Sequence, residues 1–439
     1  MVERIHPLAL ARDARGMTGV ELARRICAAA TRRGLRSSAD KQRVRKWERL
    51  GVTPDATTQG YIAEVFGIPA DQVDPEDWPN WLPTGVVPLD RIDNTVPALR
   101  EALRTTMTRT RRTFLAGISG AALISLAESW ASAAPLSRAV KAGTDGKWID
   151  EEVVVLLEDT SARLTAQATE QRQFTAPVLN SCLQSVTDLI EHSRCAEPLR
   201  FRLHALAARL AQTVAWHRFD LGEHDAAITH WNAGLHAARA TSDHDMGAAL
   251  LGDLAYQASW RGDPDTAAGL LEKALTRARH PAAQSLLHLR LARARAAQGH
   301  RRETLRALKA AEHFLNASSG EPKPTWCAWM SEADLAVDSG ECLLDLGDTR
   351  RAHRLIQEGT QLLPHARSKT RGVFLTYQAG GYLELGEPEQ GAAAALEALR
   401  LAQRIGAPRC VQLARNLAPQ FEPYPTAQGV PEFLEAAAA

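Results

Sequence analysis

From residue 148 to 424, apolar residues recur at three- and four-residue spacings, broken only by short Gly/Asp turns, which predicts a nearly continuous series of amphipathic helices. Five turns share one form: Leu221-Gly222-Glu223, Arg261-Gly262-Asp263, Gln298-Gly299-His300, Leu346-Gly347-Asp348 and Leu385-Gly386-Glu387, spaced by 40, 37, 48 and 39 residues. Seven residues before each glycine stand Ala215, Ala255, Ala292, Gly340 and Ala379. Five residues after stand Ala227, Ala267, Thr304, Ala352 and Gly391, and twelve after stand Gly234, Ala274, Ala311, Gly359 and Ala398. Small side chains in all fifteen slots let the two helices of a hairpin approach closely, while the turn reverses the chain between them.

The first 82 residues carry a shorter pattern. A first helix runs through Leu8–Ala11, and Thr18 with Glu21 forms a capping box for a second bearing Leu22, Ala23 and Ile26 on one face. After the basic turn Arg32-Arg33-Gly34-Leu35-Arg36, Ser38 is expected to cap a third helix, Ala39–Leu50, whose buried face is Val44 and Trp47. Thr53-Pro54-Asp55 starts a fourth, with Ile62, Ala63, Val65 and Phe66 inward, and a fifth turn spans Ala70–Val73. Four regions follow: a head, 1–82; a connector, 83–147; the repeat region, 148–424; and a loosely held tail, 425–439.

Composition supports helices throughout. The 439 residues are 45% hydrophobic but only 5% aromatic and rich in Ala, which suits an all-α fold better than a sandwich or barrel. Arg outnumbers Lys 44 to 8, which suggests the codon bias of a GC-rich genome and an expected bacterial source of the actinobacterial kind. The net charge of +1 conceals a sharp division: residues 1–50 sum to +8, residues 51–82 to −6 and the remainder to −1. A basic block confined to the head is the electrostatic footprint of nucleic-acid binding. Six scattered cysteines without a C-x-x-C pair indicate neither zinc nor disulfides. With no apolar leader and no run of 18 apolar residues, the expected location is cytoplasmic, without membrane contact.

Leu22-Ala23, Val44, Trp47-Glu48 and the helix Ile62-Ala63 to Phe66-Gly67-Ile68 give the head a form that resembles the phage-repressor-like (XRE) helix-turn-helix family. The resemblance implies a five-helix domain binding double-stranded DNA, with the third helix in the major groove. Lys41, Gln42, Arg43 and Lys46 would then face bases or phosphates, and Arg32, Arg33 and Arg36 would contact phosphates. The 24 residues from Ala23 to Trp47 exceed the usual family spacing by about ten, so the turn between the second and third helices must be extended.

The repeat region resembles the tetratricopeptide repeat, and residues 148–170 with 175–195 read as a degenerate capping pair. That resemblance implies an α-solenoid with a concave groove. Groove-facing slots thirteen, ten, six and two residues before each turn glycine point to Gln212, Trp216, Asp220, Tyr256, Trp260, Arg293, Asp334, Glu341, Asp345 and Thr376. Such a groove, aromatic at one end and acidic further along, suits a peptide or small-molecule effector.

Thr110-Arg111-Arg112-Thr113-Phe114-Leu115-Ala116-Gly117, followed by apolar residues to Ala127 and by Ala131-Ser132-Ala133, has the layout of a twin-arginine export signal, with Met107 as an internal start. A packed helix over Phe114–Ala127 is the favoured reading, because export would part the head from DNA. The order of parts is similar to actinobacterial regulators of sporulation and antibiotic production of the Nsd type: basic head, Trp78-Pro79-Asn80-Trp81-Leu82-Pro83 closure, Arg-Arg-x-Phe-Leu linker and repeat body. Metal-protease, nucleophile-elbow, P-loop and dinucleotide motifs are all missing. Asp243-His244-Asp245, the tightest polar cluster, falls in an inter-repeat loop where solvation explains it. The expectation is a non-enzymatic, homodimeric transcription factor without cofactor or metal. The alternatives are a protein-interaction scaffold or an exported repeat protein.

Overall fold

The computed structural model describes residues 6–13, 17–66, 68, 73–79, 81–82, 89, 94–107, 120–133, 147–167, 171–318, 320 and 322–439. The fold is all-α, a small helical head followed by a tetratricopeptide-like solenoid. Among the described residues the only strands are β1 (Lys147–Trp148) and β2 (Ser193–Arg194), which pair in parallel.

The head comprises α1 (Pro7–Asp13), α2 (Gly19–Arg32), α3 (Lys41–Arg49) and α4 (Ala56–Phe66), with a 3₁₀ turn at Pro75–Asp77. Leu8, Leu22, Ile26, Val44, Trp47, Tyr61, Ile62 and Phe66 close one core. Thr18 caps α2 by accepting from the Glu21 amide, but the Glu21 carboxylate turns to Arg24 and Arg25 instead of completing the capping box. The third helix starts two residues later than predicted: Asp40, not Ser38, accepts from the Arg43 amide at 2.7 Å. A carboxylate is a stronger acceptor than a hydroxyl for an unsatisfied helix-start amide. Residues 33–40 form the extended connection between α2 and α3. The fifth turn predicted at 70–73 lies outside the described residues except for Val73.

The connector contributes α5 (Thr95–Met107) and α6 (Gly120–Ser132). The capping pair is α7 (Glu151–Thr165) and α8 (Arg172–His192). Five hairpins follow: α9 (Glu197–Asp220) with α10 (His224–Ala240), α11 (His244–Trp260) with α12 (Pro264–Leu275), α13 (Pro281–Ala297) with α14 (Arg301–Ala317), α15 (Glu332–Asp345) with α16 (Thr349–Leu362), and α17 (Ser368–Glu384) with α18 (Pro388–Arg404). The chain ends in α19 (Pro408–Arg415), α20 (Ala418–Phe421) and α21 (Val430–Ala438).

All five predicted turn glycines adopt left-handed backbone, with φ between 74° and 78°. Each lets the next amide bond back to the carbonyl five residues earlier, as Glu223 does to Arg218 and Asp348 to Leu343, so the first helix ends cleanly. The fifteen small-residue slots are all buried. A Cβ on Gly340 would lie 2.6 Å from Ile356 and 2.8 Å from the Ala352 carbonyl, and one on Gly359 would lie 2.7 Å from the Ala333 carbonyl. Backbone-to-backbone approach of this kind admits no larger side chain without moving a helix.

One expectation is sharpened and one is corrected. The connector is built into the body: α5 packs on α10 and α6 on α12, placing Leu99, Leu103, Leu123, Leu126 and Trp130 in the core of the first repeats. That outer layer explains why α10 is buried on nearly every side. The twin-arginine residues 110–117 lie outside the described residues, whereas the apolar stretch from residue 120 on is α6. The tail, expected to be loose, is packed: Phe433 and Val430 of α21 are fully buried against Phe421 and α18. Its Pro and Gly residues stop one helix and start another, and Ala-rich composition suits a closely packed terminal helix. No helix among the described residues is long and apolar enough to cross a membrane, and no disulfide or metal-holding cluster occurs among them.

Candidate functional site

Two sites emerge, one on the head and one inside the solenoid. On α3, Val44 and Trp47 anchor the helix and leave Lys41, Gln42, Arg43, Arg45, Lys46 and Arg49 exposed. None of these five cations makes an ion pair among the described residues. The one acid on the helix, Glu48, is turned inward and held by Arg12 at 2.6 Å. The outer face of α3 is therefore positive and open to solvent.

The flanking arginines differ. Arg32 and Arg33 both pair with Glu64 of α4, at 2.8 and 2.9 Å, and Arg33 lies over the Tyr61 ring at 5.5 Å. Hydrogen bonding to Arg32, opposed by desolvation and aided by the charges of both arginines, holds the Glu64 carboxyl below its ordinary value. Of the three predicted phosphate contacts, only Arg36 is exposed with no such carboxylate partner among the described residues.

In the body, the first helices of the hairpins line a pocket of about 760 Å³, within the range of ligand cavities. Seven of the ten predicted groove residues line it: Gln212, Trp216, Tyr256, Trp260, Arg293, Asp334 and Glu341. Three do not. Thr376 is buried and donates back to the Gly372 carbonyl at 2.9 Å, Asp345 is exposed at the end of α15, and Asp220 sits behind the wall, holding two cations that line it. The expected acidic character is also corrected: Arg290, Arg293, Arg367, Lys369 and Arg409 face Asp253, Asp334, Asp338 and Glu341.

Most of these charges are committed to one another. Asp253, almost fully buried, accepts from Gln212 at 2.7 Å, from Trp216 at 3.1 Å and from Arg290 at 2.8 Å. Burial raises its carboxyl above the ordinary value, against the pull of Arg290 and the other donors. Arg290 in turn lies over the rings of Trp216 and Tyr256. Asp334 grips Arg367 through two bonds of 2.8 and 2.7 Å. Asp220 holds both Lys369 and Arg409, and although burial raises its carboxyl, the two cations bring it down to about 2. Arg409 bonds the Tyr256 hydroxyl at 3.1 Å and stacks on Phe219 and Trp260 at 5.1 Å. These last contacts tie α17 and α19 back to α9 and α11, so the superhelix closes on itself and the groove becomes a pocket.

Sequence reasoning missed Asp253, Arg290, Asp338 and Tyr377. With Thr213 they stand nine residues before the five turn glycines, and all five line the pocket. Positions thirteen, nine and six before the turn share one face of a helix; position ten lies at the edge of that face, where the long Gln212 side chain reaches the pocket and the short Thr376 does not. Helical periodicity alone was the available signal. The Asp243-His244-Asp245 cluster is not merely solvated either: Asp243 caps α11, and Asp245 accepts from the Arg279 and His280 amides at 2.7 and 3.0 Å, fixing the next interhelical turn.

Against known proteins, residues 8–71 match the family described as the SP15 N-terminal domain. No curated protein matches the chain. Among solved structures, it is similar to BtubC (BKLC) from P. vanneervenii, at 16% identity over 55% of this chain and 93% of that one, with a TM-score of 0.37. It is also similar to a Rap protein complexed with competence and sporulation factor, at 13% identity over 66% of this chain and 95% of that one, with a TM-score of 0.41. A STAND protein with a tetratricopeptide repeat sensor from Pyrococcus horikoshii is similar at 13% identity over 97% of this chain and 60% of that one, with a TM-score of 0.40.

Proposed function

We propose that the protein is a DNA-binding transcriptional regulator of the XRE-headed, Nsd-like type, whose solenoid pocket takes a peptide or small-molecule effector. The observation that carries this reading is the outer face of α3, a short, firmly anchored helix presenting Lys41, Gln42, Arg43, Arg45 and Lys46 without a neutralising carboxylate among the described residues. Arg and Gln match guanine and adenine edges in the major groove, and the remaining cations suit phosphates. A homodimer would place two such helices on a two-half-site operator, and a ligand binding one form of the body better would shift their spacing.

The test is a mobility shift with the full chain and its own upstream DNA at about 50 and 200 mM salt. Binding should weaken at least ~10-fold between them, since phosphate contacts release counterions. Arg43→Ala should erase the preference for specific over random DNA, while Arg36→Ala should weaken both alike. Identical behaviour of the two variants would mean that α3 does not read bases. Absence of binding at low salt would leave the head as a protein-docking module.

A further inference from the structure

Within the pocket one cluster is left with unspent bonding capacity. Asp338 lies one turn from Asp334 and from Glu341 on the same face of α15, and it makes no hydrogen bond or ion pair among the described residues. The Glu341 Oε2 atom is buried without a donor, and the Arg293 Nη1 atom is buried without an acceptor. Their mutual ion pair is long, at 3.6 Å. Arg293 is seated on the Tyr377 ring at 5.1 Å, so the cluster is supported from three successive first helices, α13, α15 and α17. Buried polar atoms without partners are costly to keep, and a site that keeps two beside an open carboxylate is shaped for something that satisfies them.

The unmet needs define the ligand's chemistry. Two carboxylates and one guanidinium carry a net charge of −1, so the complement brings one positive charge. Asp338 and Glu341 need donors, and Arg293 Nη1 needs an acceptor a few ångströms away. An ammonium group on a carbon that also bears a carbonyl supplies both. The other charged groups lining the pocket are already paired: Asp253 with Arg290, Asp334 with Arg367, and Lys369 and Arg409 with Asp220.

We propose that Arg293, Asp338 and Glu341 recognise an α-ammonium group and its adjacent carbonyl, as presented by the free amino terminus of a peptide or by an amino-acid amide. Asp338 and Glu341 accept from the ammonium, and Arg293 Nη1 donates to the carbonyl oxygen. This rests on the pocket being the effector site, and the experiment separates the two ideas. The full chain is incubated with an equimolar pool of random hexapeptides, half with free and half with acetylated amino termini, and the retained peptides are counted by mass spectrometry. Leucinamide is added as a competitor to tell a small amino-acid source from a peptide.

Free-amino peptides should be retained at least ~10-fold over acetylated ones. Asp338→Asn should abolish that preference, and Asp338→Glu should restore part of it. Competition by leucinamide at micromolar levels would assign the site to small amino-acid derivatives; its failure to compete would assign it to peptides. Equal retention of acetylated and free peptides would overturn the amino-group assignment while leaving the pocket as a peptide site. No retention of either, with no leucinamide binding by calorimetry, would overturn both. Thermal melting of Asp338→Asn beside wild type distinguishes loss of preference from unfolding.

Discussion

The outer face of α3 and the wall of the solenoid pocket are built from the same side chain, arginine, and use it in opposite ways. On α3 the guanidinium groups are exposed and free of carboxylates among the described residues, held only through their helix by Val44 and Trp47. In the pocket Arg290, Arg367 and Arg409 lie on aromatic faces and against carboxylates. Exposed charge retains its hydration and long-range field, which suits a polyanion met from solution. Buried charge is expensive unless paired, and once paired it is fixed in place, which suits a shaped cavity. The count of basic residues says nothing about which case applies; the partner atoms decide.

The largest expected effect tests the buried half of that contrast. Asp253→Ala strands Arg290 together with the Gln212 and Trp216 donors in a nearly dry site. Removing one member of a buried pair costs about 3–5 kcal/mol. The triple change Lys41→Ala, Arg43→Ala, Lys46→Ala should alter stability by less than ~1 kcal/mol, as exposed substitutions do. Urea unfolding of both variants reads the difference. A stable Asp253→Ala variant would show that the pocket charges are no more committed than those of α3.

Much of this division was legible beforehand, for physical reasons that differ by region. The repeat register was readable because the turns demand glycine and the hairpin contacts demand small side chains, so sterics wrote the same letters five times. The buried face of α3 followed from Val44 and Trp47. What escaped was pairing across distance: Arg32 and Arg33 to Glu64, Asp220 to Lys369 and Arg409. No local pattern couples residue 220 to residue 409, because closure of the superhelix depends on the summed rotation of all the intervening repeats. The placement of α5 and α6 as an outer layer escaped for a similar reason: a short apolar helix announces that it will be covered, not what covers it.

A smaller effect concerns the one pocket carboxylate that is not committed. Burial pushes the Asp338 carboxyl up to about 6, with Arg293 and Arg290 of α13 opposing and Asp334 on its own helix adding; Tyr377 of α17 and Cys342 of α15 also feel its charge. A carboxyl whose folded value lies above its unfolded one costs stability once ionised, so the cost is absent below about pH 4 and complete above about pH 6. Asp338→Asn should therefore raise the melting temperature of the ligand-free protein by ~1–3 °C at pH 7.5 and leave it unchanged at pH 4. An equal gain at both pH values would trace it to packing rather than to an unneutralised charge, and Asp338 would then belong with the committed residues.

The smallest effect tests whether the boundary between the two modes can be moved on the head itself. Glu64 neutralises Arg32 and Arg33, whose side chains remain 60% and 49% exposed, so the pairs are of the weak surface kind. Glu64→Gln should cost less than ~0.5 kcal/mol of stability, because nothing buried is stranded. It should also convert both arginines from paired to free. DNA affinity at low salt would then rise by ~2–5-fold without a change in sequence preference, and the slope of log affinity against log salt would steepen by up to about 2, near 0.9 for each phosphate gained. Unchanged affinity and slope would place Arg32 and Arg33 away from the DNA and confine the contact surface to α3 and Arg36. A change in sequence preference would instead show that Glu64 helps to set the angle at which α3 is presented, which an exposed surface pair has no means of doing.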